Sequence, residues 1–140
     1  MGRLVPERGV LRQNRDVEHV DVDGLRIAYT RAGSGPLLVL LHGAPTDSRT
    51  WQWMVPDLSR DHTVIAWDAP GFGQSSDIND SWRAKQFADA LANFVAALGV
   101  ERPHVVGHSF GSMLALSLFE HHPSTPASLV LVGGYAGWAG

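Results

Sequence analysis

A chain without a single cysteine among its 140 residues can build neither a disulfide framework nor a thiolate-ligated metal centre. Charge is scarce as well. Lys, Arg, Asp and Glu make up 18% of the residues, the formal net charge is -3, and no long block of one sign occurs. The sequence therefore has no electrostatic footprint for nucleic acid or an anionic membrane. No apolar run approaches the roughly 20 residues of a membrane-spanning helix. The N-terminal MGRLVPERGVLRQNRDVEH lacks a signal-peptide apolar core. Gly2 follows Met1, but Pro6 stands where a myristoylation motif wants Ser or Thr. Neither G-x-x-x-x-G-K-[ST] nor G-x-G-x-x-G is found, which argues against a nucleotide site. Together these absences predict a cytoplasmic protein with no nucleic-acid and no membrane partner.

Hydrophobic residues make up 44% of the sequence, a globular balance. Residues 1–16 are polar, arginine-bearing and without period, and read as a flexible N-terminal arm. From 17 onward the pattern is regular. VEHVDVDGLRIAYTRAG (17–33) alternates apolar and polar, and Asp23-Gly24 sits between its halves. Asp-Gly there signals a hairpin, because both residues tolerate the positive φ that a type I′ turn needs. LLVLL (37–41), TVIAW (63–67), HVV (104–106) and LVLV (129–132) are continuous apolar runs instead. Strands buried on both faces read this way, and such strands are usually parallel. Helices are expected over 48–58, 81–98 and 110–122, the second capped by Ser81 and stopped by Gly99. The reading is an α/β fold of about six strands: a mainly parallel sheet, an N-terminal antiparallel hairpin, and helices on both faces.

Three stretches carry chemistry. In VVGHSFGSML (105–114) an apolar run meets a serine between two glycines, and a helical run follows. G-x-S-x-G between a buried strand and a helix reads as a nucleophile elbow, in which Ser109 stands on a sharp turn, in preference to a merely tight strand–helix junction. Gly107 and Gly111 must lack side chains there so that strand and helix can approach. His108 precedes the serine, and its side chain leaves the turn in another direction. In LLHGAP (40–45) a buried strand ends at His42-Gly43. The backbone N–H of Ala44 could meet a developing oxyanion there, with the N–H of Phe110 as partner. His42 reads as a residue that shapes this loop with Gly43 through hydrogen bonds, not as a base. In WDAPGFGQSSD (67–77), Asp68 ends a strand and is expected, with Ser75, to organise the turn by bonds to backbone.

The order of these pieces resembles the α/β-hydrolase superfamily: a hairpin, HGAP after one buried strand, DAPGFGQS after the next, then GHSFG. It is similar to the esterase, lactonase and C–C-bond-hydrolase branch with an HG-x-P oxyanion loop, over about residues 17–140. The resemblance implies Ser109 as nucleophile, the amides of Ala44 and Phe110 as oxyanion hole, and no metal or organic cofactor. Family members with Asp at the elbow, the haloalkane dehalogenases and epoxide hydrolases, are disfavoured by the serine at 109.

The family order is Ser, then Asp or Glu, then His. After Ser109 the only carboxylate is Glu120 and the only histidines are His121 and His122. They lie at the far end of the expected helix, about 15–18 Å from the serine at 1.5 Å per residue. His104 begins the strand that Ser109 ends, about 16 Å away. His62 precedes its strand at the opposite sheet edge, and His19 lies in the hairpin. Residues 17–140 therefore read as the N-terminal portion of a hydrolase domain, truncated at the sixth strand and without its acid, its histidine and most of its lid. The expected activity is hydrolysis of a small carboxylic ester or lactone through an acyl-enzyme. The alternative is a non-catalytic binding or assembly module that keeps the fold. An open edge at 129–132 predicts self-association or pairing with a complementing C-terminal half.

Overall fold

The computed structural model describes residues 17–134; the expected arm at 1–16 lies outside them, as does the C-terminal YAGWAG (135–140). Strands β1 (Val17–Val22) and β2 (Leu25–Ala32) form the hairpin, with Val22 opposite Leu25. Asp23 at φ +49° and Gly24 at φ +83° make the turn between them, the two positive φ values that Asp-Gly supplies.

The chain continues through β3 (Leu37–Leu41), a 3₁₀ turn (Ser48–Trp51), the short α1 (Val55–Leu58) and β4 (Thr63–Trp67). Then come α2 (Ala84–Ala97), β5 (His104–His108), α3 (Phe110–His121) and β6 (Ser128–Val132). The six strands form one sheet in the order β1-β2-β4-β3-β5-β6. β1, β2 and β4 pair antiparallel, and every pairing from β4 to β6 is parallel. This is the mixed, mainly parallel α/β sheet expected of the sequence.

Two helical expectations need correction. The helix expected over 48–58 is broken in two, because Pro56 has no amide to donate and is tolerated only in a first turn, so α1 starts afresh just before it. Ser81 does not cap α2. Its amide and hydroxyl both bond to Asn79 Oδ1, so the side chain is already used in the preceding turn. Arg83 is the N-cap instead, its amide donating to Gln86 Oε1 at 2.8 Å.

The sheet separates two apolar layers. Ile27, Val39, Leu41, Ile65, Trp67 and Val105 pack with Phe87, Leu91 and Phe94 of α2 and Leu114 and Leu118 of α3. On the other face Leu38, Leu40, Val64 and Ala66 pack against Trp51, Val55 and Leu58. The carboxyl ends of the parallel strands β3, β4 and β5 carry the loops at 42–47, 68–76 and 109, where open α/β sheets place ligands.

Candidate active site

Strand β5 and helix α3 meet at Ser109 with no other residue between them. Ser109 takes φ +53° and ψ -115°, backbone space that a non-glycine residue rarely enters. Such a conformation costs about 1–3 kcal/mol and persists only where the surroundings impose it. Here they do. The Ser109 amide donates to the Val132 carbonyl of β6 at 2.9 Å, and its carbonyl accepts from Ser112 N at 2.8 Å and Ser112 Oγ at 2.5 Å. A Cβ on Gly107 would collide with the Gly111 carbonyl, and one on Gly111 with the carbonyl of Leu41. The close approach of β5, α3 and β3 therefore requires glycine at both positions.

The HGAP loop packs against this turn. A Cβ added to Gly43 would stand 3.3 Å from Ser109 Cβ and 3.2 Å from His108 Nδ1. His42 is only 1% exposed. Its Nδ1 donates to the Gly43 carbonyl at 2.8 Å, and its Nε2 accepts from the Ala69 amide at 3.0 Å. One nitrogen donating and one accepting defines a neutral imidazole. Burial holds its pKa below the ordinary histidine value, and the Gly43 carbonyl, Asp68 and Asp47 offset this only in part. Neither ring nitrogen is left to face the serine. Ala44 is exposed and precedes a cis proline, Pro45. Among the described residues neither the Ala44 nor the Phe110 amide donates a hydrogen bond. Phe110 opens α3, so its amide has no intrahelical acceptor.

Asp68 ties the neighbouring loops together. Its Oδ1 accepts from Ser48 N at 2.8 Å and its Oδ2 from Gln74 N at 2.9 Å. Ser75 Oγ donates to the Asp68 carbonyl at 2.6 Å and accepts from Ala28 N at 2.8 Å. The expected bonds to backbone are present and reach beyond their own loop, into the 3₁₀ turn and β2.

No imidazole among the described residues hydrogen-bonds to Ser109 Oγ. His62 pairs with Asp61 at 2.8 Å, His104 with Ser128 Oγ at 2.7 Å, and His122 with Asp89 at 2.7 Å. His121 donates to the Ser117 carbonyl at 3.0 Å. His108 is exposed at the end of β5, and His19 is exposed on β1. Among the described residues no three His, Asp or Glu side chains gather as metal ligands. Nor is any described helix long and apolar enough to cross a membrane.

A serine on a strand–turn–helix junction, at the carboxyl edge of a mainly parallel sheet with an antiparallel hairpin, defines the class as an α/β-hydrolase fold. The family model for the alpha/beta hydrolase fold matches residues 36–139, and the chain belongs to that family. It is 39% identical over 116 residues to the dihydrolipoyllysine-residue acetyltransferase component of the acetoin cleaving system of Cupriavidus necator, covering 82% of this chain and 31% of that protein. A soluble epoxide hydrolase of Corynebacterium is 36% identical over 94 residues, covering 67% and 33%. The crystal structure of a membrane phospholipase A superposes with a TM-score of 0.82 at 36% identity, over 94% of this chain and 44% of that one. The chain spans less than half the length of each.

Sequence reasoning missed three contacts of the site. The Val132 carbonyl holds Ser109, the Ala69 amide holds His42, and the Phe72 ring lies between the His42 and Phe110 rings. Each joins segments brought together only by the sheet, and no local pattern announces them.

Proposed function

We propose that this chain carries the nucleophile of a serine hydrolase acting on a small carboxylic ester or lactone. The observation that carries the reading is the backbone of Ser109, held at φ +53° on the junction of β5 and α3. In this reading Ser109 Oγ attacks the carbonyl carbon, and the C=O π pair moves onto oxygen between the amides of Ala44 and Phe110. Collapse expels the alcohol oxygen, which takes a proton, and leaves the serine acylated. Water then attacks the acyl carbon, releasing the acid and the free serine. One preorganised oxyanion donor is worth about 2.7–4 kcal/mol. His42 and Gly43 shape the donor loop, while Gly107, His108 and Gly111 belong to the turn. Although an epoxide hydrolase is among the relatives, the serine at 109 favours acyl chemistry.

The Oγ proton needs a base. His121 and His122 sit about 18 Å along the twelve-residue α3, and both His42 nitrogens are engaged. We assign the acid and the histidine to a segment outside these 140 residues, in the family order. A second reading, a non-catalytic assembly module, draws support from β6, where Val130, Leu131 and Val132 are 50%, 41% and 46% exposed. In that reading a second copy or a complementing C-terminal half adds a strand beside β6.

The absence of cysteine makes a direct test available. Ser109→Cys places one unique thiol on the turn. Free amides at a helix start stabilise a thiolate, so its alkylation by iodoacetamide should show a midpoint at least about one pH unit below the ordinary 8.5. An unshifted midpoint in a folded protein would sink the nucleophile assignment.

A further inference from the structure

We propose that the substrate is neutral and aryl-bearing, and that Phe72 and Phe110 select it. The inference rests on the reading of Ser109 as nucleophile and names the substrate of that same site. Phe110 follows Ser109 directly, and its ring centroid lies 5.6 Å from that of Phe72 at an interplanar angle of 40°. Phe72 lies 5.4 Å from the His42 ring at 66°. His42 precedes Gly43, which packs on Ser109. The rings of His42, Phe72 and Phe110 thus form a row whose two ends are tied to the nucleophile, one through each loop.

Phe110 is backed by further rings. Phe87 is 7% exposed and holds Phe110 edge-on, at 5.4 Å and 88°. Trp82 meets Phe87 edge-on at 5.1 Å and 75°. Phe72 and Phe110 themselves are only half-buried, unlike Phe87. Phe110 is thus backed by Phe87, Phe72 packs against Phe110 and His42, and both rings are partly open on the two loops that flank Ser109. A further aromatic ring can join such a set at the usual offset or edge-on separations of about 4.5–7 Å.

Charge points the same way. His42 is neutral, and both Asp68 oxygens are taken by the amides of Ser48 and Gln74. Asp47 is paired with Arg49 at 2.9 Å. Among the described residues the row offers no free counter-charge to a carboxylate or ammonium on the substrate, so a charged ester would lose solvation here without compensation.

The test uses the unique thiol of Ser109→Cys and compares N-phenylmaleimide with N-methylmaleimide, each rate divided by that for free cysteine. The phenyl reagent should be favoured at least about fivefold through ring packing. Phe72→Ala should return the ratio to within about twofold of free cysteine, and Phe72→Tyr should retain it. Should Phe72→Ala fail to fold, Phe72→Leu keeps the apolar volume without the ring and should still lose most of the preference. A lowered thiol midpoint with the ratio of free cysteine overturns the aryl inference and spares the nucleophile reading. So does a high ratio that Phe72→Ala or Phe72→Leu leaves unchanged. An ordinary midpoint overturns the nucleophile reading, and this inference with it.

Discussion

Strands β4 and β6 look alike on paper. TVIAW and SLVLV are each five residues long, uncharged and paired parallel to a neighbour. Their surroundings differ. All five residues of β4 are buried, between β2 and β3 and beneath both apolar layers. In β6 only Leu129 packs against the core, while Val130, Leu131 and Val132 stay 41–50% exposed. Among the described residues β6 has a strand on one side only. An apolar run records what a strand is able to bury; its neighbours decide whether it does. The contrast matters for the site, since the least covered strand supplies the Val132 carbonyl that holds the strained backbone of Ser109.

Matched truncations in the two strands should differ most. Ile65→Ala in β4 empties a fully buried position and should cost about 2–5 kcal/mol in urea unfolding. Val130→Ala in β6, half-exposed, should stay near the ~0.5 kcal/mol of a surface change. Equal losses would show that β6 is covered in solution.

A smaller effect belongs to the buried His42, at the carboxyl end of β3. The folded-state pKa of His42 is lowered by burial, so the unfolded chain binds the proton more readily. Its contribution to stability is complete above the unfolded value of about 6.5 and is lost as pH falls below it, toward the lowered folded value. The slope from this one group is at most about 1.4 kcal/mol per pH unit. Unfolding at a series of pH values should show it, and His42→Gln should flatten it. A wild-type slope of opposite sign between pH 6.5 and 5 would contradict the buried neutral imidazole.

The smallest change in stability, with the clearest change in assembly, is expected from a charge on the open edge. Val130→Lys should leave unfolding within about 0.5 kcal/mol. It should nonetheless lower the weight-average mass seen by sedimentation at low micromolar protein, because an inserted lysine blocks edge-to-edge pairing. A monomeric wild type, unchanged by the lysine, would remove β6 as an association surface.

Much of the fold was legible because its constraints are local. The runs at 37–41 and 63–67 coincide with β3 and β4, since a strand covered on both faces must be apolar throughout. Asp23-Gly24 and Gly99 were readable because few residues accept positive φ. The turn at Ser109 was readable for a related reason, since the glycines at 107 and 111 stand where a Cβ would strike backbone. The break at Pro56 and the cap at Arg83 were lost to competition between nearby residues for the same bonds. That is why element ends are less secure than the elements themselves.

Sterics and burial acting over a few residues were enough to mark the sheet's apolar strands, its hairpin and the turn that holds Ser109. What surrounds that serine depended on the packed fold. The Val132 carbonyl, the Ala69 amide on His42 and the rings of Phe72 and Phe110 come from separate segments, and strand order alone puts them in reach. The exposure of β6 was decided there too, because burial depends on which elements flank a strand and not on the strand's own residues.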